Sequence, residues 1–183
     1  LRNVSIRKLI NGVIIILSLL CLLSAGVLGW DAYKDRATAL RLSHLNEMAD
    51  IIIVAAAQEA RERGLTATAL SSNGIVSPDM ISKINTFRTE GDDQLNKALA
   101  IAKEMADDEP QSTFATVLEQ TNHAYQTLIE ARKKADSSLV SGERVIETPE
   151  WLKTATAFIE SAARLRQTAF MSSKPLEQIT QNN

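Results

Sequence analysis

The sequence predicts an all-α protein in which an N-terminal transmembrane helix continues into an antiparallel up-down-up-down four-helix bundle. Three observations lead to this fold class. The composition, with 45% hydrophobic but only 4% aromatic residues, favours helices over a β-sandwich. A long uncharged run lies near the N-terminus. After it, apolar residues recur at three- and four-residue spacing, the period of an amphipathic helix.

The first predicted element is the transmembrane helix, residues 9–30. These 22 residues, LINGVIIILSLLCLLSAGVLGW, carry no charge, and as a helix they measure about 33 Å, enough to span a bilayer. A cleaved signal peptide is the alternative. Its apolar core is usually about 7 to 15 residues long and ends in an A-x-A-like site, which LSAGVLG matches poorly. An uncleaved anchor is therefore the favoured interpretation.

The charges around this run predict its orientation. Arg2, Arg7 and Lys8 precede the run, and the first acidic residue is Asp31. The positive-inside rule therefore places residues 1–8 in the cytoplasm. Residues 31–183 are then expected on the other side of the cytoplasmic (inner) membrane, in the periplasm or the extracellular space.

The first helix is expected to continue out of the membrane to about Ser72. After the anchor it contains neither Gly nor Pro before Gly64, so nothing breaks the helical pattern. The segment SSNGIVSPD that follows is a predicted turn. The apolar stripe of this first helix consists of Leu42, Leu45, Ala49, Ile52, Ala56, Ala67 and Leu70.

A second helix is predicted to begin at Pro78, with Ser77 as its N-cap, and to end near Pro110. Gly91 interrupts its stripe, which consists of Ile81, Ile84, Phe87, Leu95, Ala98, Ala102 and Met105. A third helix is expected from about Gln111 to Val140. Its stripe is the most regular in the chain: Phe114, Leu118, Thr121, Tyr125, Leu128, Arg132, Ala135 and Leu139.

The fourth helix follows the predicted loop SGERVIETPE. Thr148 as N-cap and Pro149 as the first helical residue repeat the signal that begins the second helix. Pro175 is expected to kink or interrupt the end of this helix. The stripe consists of Trp151, Ala155, Phe158, Ala162, Leu165 and Ala169.

The lengths of the four helices return the chain towards the membrane. At about 1.5 Å per residue from Trp30, the first helix ends roughly 63 Å above the bilayer and the second descends to about 18 Å. The third climbs again to about 63 Å, and the fourth descends to about 12 Å at Asn183. This predicts a second spanning helix soon after Asn183 and an output domain beyond it, so the chain is expected to be the front part of a longer protein.

Composition and spacing argue against several function classes. Outside the N-terminal cluster, 17 basic and 22 acidic residues remain, unlike the basic surface that binds nucleic acid. His44 and His123 lie at about 21 and 36 Å above the membrane, too far apart to share a metal or haem, and no cofactor is expected. The segment has no group of Ser, His and acidic residues and no Gly-rich phosphate loop, so these motifs do not indicate an enzyme here. Cys21 is the single cysteine and forms no disulfide within the chain.

The segment AAQEARERGLTATALSS, residues 56–72, holds the first candidate binding residues. A 3.6-residue period counted from Ile52 predicts core-facing positions near 56, 59, 63, 66 and 70. Glu59 and Arg63 then share the buried face, four residues apart, where they can pair. Arg61 and Glu62 are expected to face solvent.

Two further arginines extend this candidate site. Arg132 lies on the core stripe of the third helix, and Arg88 lies beside the stripe of the second. By helix rise, Arg63, Arg88 and Arg132 lie at about 50, 48 and 50 Å above the membrane. Three guanidiniums at one level would bind a small anion, and Glu59 would neutralise one of them in the empty site. The alternative is that these arginines reach the surface and pair there with Glu90, Asp92 or Glu130.

Three segments resemble a known family. NVSIRKLINGV resembles the opening of bacterial chemoreceptors. QEARERGLTATALSS, with Glu62-Arg63-Gly64, is similar to the E-R-G segment in the first helix of nitrate- and nitrite-sensing modules, which occur in chemoreceptors, sensor histidine kinases and diguanylate cyclases. TPEWLKTATAFIESAARLRQTAF resembles their last helix. The resemblance implies a four-helix sensor bundle that forms a homodimer between two membrane helices, with kinase, cyclase or chemotaxis output equally open.

Two hypotheses of function follow. The first is a ligand-sensing extracytoplasmic domain of a bacterial transmembrane receptor, which binds a small anion between its helices and signals by helix displacement. Nitrate is suggested as that anion only by the resemblance, and a carboxylate suits arginine equally well. The second is a membrane-tethered bundle that binds a protein partner or has a structural role, with no small ligand.

Overall fold

The chain forms four α-helices in the residues that the structure describes. The structure is a computed structural model that describes the backbone of residues 6–72 and 75–181, and side chains at residues 16–26, 30, 33, 34, 36, 38–72 and 75–171. The helices are α1 (Ile6–Ser71), α2 (Pro78–Asp108), α3 (Thr113–Ser141) and α4 (Thr148–Gln181). No strand occurs in these described ranges, and the predicted all-α class is confirmed.

The chain divides into two compact units, Leu1–Arg41 and Leu42–Asn183. In the first unit, apolar side chains between Ile16 and Leu23 are more than half exposed. Trp30 and Tyr33 stack with ring centroids 6.2 Å apart, and Lys34 Nζ lies 5.7 Å from the centroid of the Trp30 ring. A search of the described residues finds no helix with a stretch long and apolar enough to cross a membrane. The predicted span 9–30 includes residues 9–15 and 27–29, whose side chains lie outside the described part of the chain.

The second unit is built around one apolar core to which all four helices contribute. Side-chain contacts show that neighbouring helices run in opposite directions. On α1 and α4, Ser71 lies beside Thr148 and Arg63 beside Thr156, so one helix ascends as the other descends. The same relation holds for α1 with α2, α2 with α3, and α3 with α4, through the pairs Gln58–Glu90, Glu62–Arg88, Arg88–Asp136, Asp92–Arg132, Thr121–Ser161 and Lys134–Glu150.

Buried positions along the helices alternate by three and four residues. This is the 3.5-residue period of helices that pack at a small left-handed angle, as in coiled coils and four-helix bundles. The predicted stripes of α3 and α4 follow this period, and their large apolar side chains are buried as expected. On α1, the buried positions are Leu45, Met48, Ala49, Ile52, Ala55, Glu59, Glu62, Thr66, Ala69 and Leu70.

The helix ends agree with several of the local signals. The Ser77 side chain accepts a hydrogen bond from the Met80 N–H at 3.3 Å, and Pro78 is the first residue of α2, as predicted. Ser112, one residue after the predicted start, caps α3 and accepts from the Ala115 N–H at 3.1 Å. Gly142 ends α3 with φ at 74°, a left-handed conformation that glycine adopts without strain.

Two local expectations were wrong, the N-cap at Thr148 and an interruption of the helix at Pro175. Thr148 is already helical, because the first hydrogen bond of α4 runs from the Trp151 N–H to the Glu147 carbonyl. Helix α4 continues past Pro175 to Gln181, since a proline removes one backbone donor without ending the hydrogen bonds on either side. Gly91 lies on the buried face of α2, where it interrupts the apolar stripe as predicted while the helix itself continues. It is buried where α2 meets α1, and a Cβ there would lie 2.8 Å from Glu59 Oε1.

The two glycines of the bundle helices give a matched stability prediction. Gly64 lies in the middle of α1 and is exposed, and a Cβ added to it would meet no neighbouring side chain within 4 Å. We expect Gly64→Ala to raise the free energy of unfolding by about 0.5–1 kcal/mol, because alanine is the better helix former. Gly91→Ala is the control and should show no such gain, since its methyl group would force Glu59 to move. Urea denaturation of both variants measures the difference, and an equal gain in both would contradict the close contact at Gly91.

Candidate functional site

Six charged side chains from three helices form one network of ion pairs that runs from the core to the surface, and we refer to them as the charge cluster. Glu59, Glu62 and Arg132 are buried, whereas Arg88, Asp92 and Asp136 are partly exposed. The three buried side chains replace what would otherwise be an apolar layer of the core. The cluster consists of Glu59 and Glu62 on α1, Arg88 and Asp92 on α2, and Arg132 and Asp136 on α3.

Arg132 is the centre of the charge cluster. It is only 4% exposed, and each of its three guanidinium nitrogens donates to a carboxylate. Nη1 donates to Asp92 Oδ1 at 2.8 Å, and Nη2 donates to Glu59 Oε2 at 2.8 Å and also to Glu62 Oε2. Nε donates to Glu62 Oε1 at 2.9 Å. One guanidinium therefore ties α3 to both α1 and α2.

Arg88 extends the cluster from the α2 side. Its Nε donates to Glu62 Oε1 at 2.8 Å, and its two terminal nitrogens donate to the carboxylate of Asp136 at 2.9 and 3.0 Å. Glu62 thus accepts from both arginines while being 1% exposed. Two-nitrogen pairing of this kind fixes geometry as well as charge.

Tyr125 connects the cluster to the fourth helix. Its hydroxyl donates to Asp92 Oδ1 at 2.8 Å, the same oxygen that accepts from Arg132. Its ring packs against Phe158 of α4, with centroids 5.4 Å apart. Burial, together with the Asp92 carboxylate, raises the pKa of the Tyr125 hydroxyl above its usual value, so it remains a donor.

The cluster contains four carboxyl groups but only two guanidiniums. Burial raises the pKa of Glu59 from 4.5 to about 8; Arg132 opposes this shift, and the charges of Glu62 and Asp92 add to it. Burial therefore favours the protonated form of Glu59. Burial lowers the pKa of Arg132, but its hydrogen bond to Glu62 and the surrounding carboxylates more than compensate and raise it. In Arg88, burial is likewise outweighed by the hydrogen bond to Asp136, which raises the pKa of that guanidinium.

The structure brings together three of the four residues proposed from the sequence: Glu59, Arg88 and Arg132. Arg63 lies elsewhere. Its Nη1 donates to Thr156 Oγ1 on α4 at 2.9 Å, and its carbonyl accepts from Trp151 Nε1 at 3.0 Å. The predicted pair of Glu59 with Arg63 is therefore wrong, because Glu59 pairs with Arg132.

Glu62 was expected to face solvent, and that expectation is wrong. The buried face of α1 passes through residue 62 rather than 63, because the 3.5-residue period of packed helices applies in place of 3.6. Arg61 is exposed as expected, and its guanidinium lies 5.5 Å from the centroid of the Phe87 ring. A heptad count from Leu45 would have found Glu62 in the sequence.

The alternative was that the three arginines pair at the surface with Glu90, Asp92 or Glu130. The described partners of Glu90 and Glu130 are not arginines. Glu90 accepts from Gln58 at 2.7 Å, and Glu130 pairs with Lys133 at 2.7 Å. Asp92 does pair with an arginine, as that alternative held, but with Arg132 inside the bundle. His44 and His123 are both exposed. Within the described residues, no group of three or more His, Cys, Asp or Glu side chains is arranged to hold a metal ion.

Thr66 is a buried polar side chain that the sequence analysis did not single out. It lies one helical turn after Glu62 on the same face of α1 and is fully buried. Its Oγ1 has no hydrogen-bond partner among the described residues. A buried hydroxyl without a partner costs free energy, so the layer next to the charge cluster is not optimised for stability alone.

Removing the central guanidinium should strongly destabilise the bundle. We expect Arg132→Met to lower the free energy of unfolding by about 3–5 kcal/mol, because it leaves buried carboxylates without a counter-charge. Adding Glu59→Gln and Glu62→Gln to this variant should recover part of the loss. Chemical denaturation of the full chain measures both effects.

Lys133→Met is the matched control, since Lys133 is the neighbouring residue and its ion pair with Glu130 is exposed. It should leave stability unchanged within error. An Arg132→Met variant as stable as Lys133→Met would show that the charge cluster does not hold the helices together.

Comparison of the chain with protein-family models, with curated proteins and with solved structures finds no match. The contacts of the chain's own residues therefore carry the functional argument.

Proposed function

We propose that the chain is the ligand-sensing part of a bacterial transmembrane signal-transduction receptor, with residues 31–183 as its extracytoplasmic domain. The charge cluster is the observation that carries this proposal. Buried ion pairs contribute little net stability compared with apolar side chains of similar volume. Three buried charged side chains in a bundle core, Glu59, Glu62 and Arg132, are therefore better explained by a function than by folding. Perturbed pKa values such as that of Glu59 are typical of functional sites.

The membrane anchor in this proposal is residues 9–30. The described side chains within it support the assignment, because Ile16, Leu17, Leu22 and Leu23 are all more than half exposed, as expected of side chains that contact lipid. Trp30 lies at the end of the run, where aromatic residues commonly lie at the membrane surface.

The proposed ligand is a small anion, such as nitrate or a carboxylate, bound at Arg132. All three nitrogens of this guanidinium already donate to carboxylates, so an anion binds only by replacing one of them. Glu59 is the group most readily replaced, since it contacts Arg132 through Nη2 alone and burial disfavours its charged form. Glu62, by contrast, accepts from both arginines.

Binding in this way would displace α1 from α2. Glu59 packs directly on Gly91, and it leaves Arg132 only if this contact opens. A ligand that fits the opened arrangement better than the closed one shifts the balance between them. Packed helices have discrete arrangements, so the shift is transmitted along the helix as a displacement. Under this proposal residues 31–183 bind the anion and transmit the helix displacement, and they have no catalytic role.

One observation favours the second candidate, a membrane-tethered bundle that binds a protein partner. Ile53 and Val54 are each 48% exposed on the outer face of α1 in the second unit. Adjacent exposed apolar side chains of this kind suit a helix-to-helix contact. A second copy of the chain is the simplest occupant, and it makes the homodimer a part of both candidates.

Anion binding to the full chain in lipid nanodiscs tests the first candidate. Nitrate and acetate should raise the melting temperature relative to chloride at equal ionic strength, because a ligand that binds only the folded protein stabilises it. Arg132→Lys should weaken binding about tenfold or more, since lysine keeps the charge but loses the planar fork. Glu59→Gln should leave binding at neutral pH close to that of the unchanged chain, because the amide is uncharged like the protonated carboxyl group of Glu59.

Arg63→Lys is the control for this experiment and should bind the anions as the unchanged chain does, since Arg63 lies outside the charge cluster. Equal affinity of the Arg132→Lys and Arg63→Lys variants would exclude the proposed site. If neither anion stabilises the unchanged chain, the protein-interaction candidate is favoured instead.

A further inference from the structure

We propose that the charge cluster also binds a proton as a ligand in its own right, and that release of this proton from Glu59 loosens the contact between α1 and α2. This makes the bundle a pH sensor as well as an anion sensor. The inference uses the same cluster but does not depend on anion binding.

The geometry requires a proton in the cluster. Glu59 Oε2 and Glu62 Oε2 both accept from the same nitrogen, Arg132 Nη2, and Asp92 accepts from Nη1 of the same guanidinium. Three carboxyl groups therefore surround one positive charge. Like charges held this close in a buried site do not all ionise, and one group keeps its proton.

Glu59 is the group that keeps the proton. Glu62 has a second positive partner in Arg88, and Asp92 is partly exposed and also accepts from Tyr125. Glu59 has neither advantage and is only 3% exposed. The elevated pKa of about 8 is consistent with this assignment.

The surroundings of Glu59 are formed mainly by α1, α2 and α3. Its charged neighbours come from its own helix and from α2 and α3, while α4 supplies the apolar ring of Phe158 behind Tyr125. Glu90 is exposed and accepts a hydrogen bond from Gln58, the residue before Glu59. Arg132 on α3 pairs with Glu59 directly, and the other charged and titratable groups are linked to it through the network: Glu62 on α1, Arg88 and Asp92 on α2, and Tyr125 and Asp136 on α3.

Release of the proton has a mechanical consequence because Glu59 has no free space beside it. A single methyl group at Gly91 would already lie 2.8 Å from Glu59 Oε1, so no water fits between the carboxylate and α2. A newly charged Glu59 is hydrated only if α2 moves away from α1. Deprotonation therefore favours the loosened arrangement.

The sign of the stability effect follows from the raised pKa. The folded state holds the Glu59 proton more tightly than the unfolded chain does, so its contribution to stability is complete below about pH 4.5. That contribution is lost as the pH rises through the interval between 4.5 and about 8. The bundle should thus be looser and less stable at pH 9 than at pH 6.

The test measures the α1–α2 distance in the full chain in nanodiscs with chloride as the only added anion. Spin labels are placed at Asp50→Cys on α1 and Ala100→Cys on α2, both exposed positions on the Glu59 side of Arg63, in a Cys21→Ser background. We expect the label-to-label distance to increase between pH 6 and pH 9 with a midpoint near 8. The melting temperature should fall by roughly 5 °C over the same interval.

Glu59→Gln should keep the short distance and a flat melting temperature throughout, because the amide does not ionise. Glu90→Gln and His44→Gln with His123→Gln are controls that should retain the transition. A transition that persists in Glu59→Gln, or its absence in the unchanged chain, would overturn the inference. Because no nitrate or carboxylate is present, failure of anion binding leaves this result unaffected, and failure here leaves the anion site untouched.

Discussion

The arrangement of α1, α2 and α3 depends on the pairing of Arg132 with the carboxylates around it. A guanidinium that is 4% exposed must have counter-charges within hydrogen-bonding distance, and these are supplied by α1 and α2 together. An apolar layer would tolerate small rotations of each helix, whereas a fork of directional hydrogen bonds does not. The rotation of α1 is therefore set by Glu59 and Glu62, and that of α2 by Arg88 and Asp92.

The same pairing explains why the cluster suits a switch. Its hydrogen bonds are nearly saturated, but its charges are not balanced, since four carboxyl groups share two guanidiniums. Because nearly all hydrogen bonds of the cluster are made, the closed arrangement has one specific geometry. Because its charges are not balanced, this arrangement is sensitive to any change in charge at Glu59. The ligand anion competes with the Glu59 carboxyl group for Arg132, and the proton binds that same carboxyl group, so the two proposals describe two ways of shifting one equilibrium.

Most of the fold could be predicted from the sequence because each helix has its own local signals. Ser77 with Pro78 marked the start of α2, and the regular apolar spacing of α3 and α4 identified their buried faces. The residues of the charge cluster were harder to predict from the sequence. A period of 3.6 placed Arg63 in the core, whereas tightly packed helices follow 3.5 and place Glu62 there. This small difference decides which of two adjacent charges is buried, and only the packing of the partner helices sets it.

The hydrogen bond from Trp151 Nε1 to the Arg63 carbonyl holds α1 at a point one residue from Glu62. Trp151 is fully buried and lies in the first turn of α4. The Arg63 position of α1 is therefore held by α4, whereas the contact that opens is the one between α1 and α2. If α1 separates from α2 at Glu59, it then tilts about Arg63 instead of sliding as a whole. The displacement grows with distance along α1, and a movement of a few tenths of an ångström beside Gly91 becomes several times larger at Leu45.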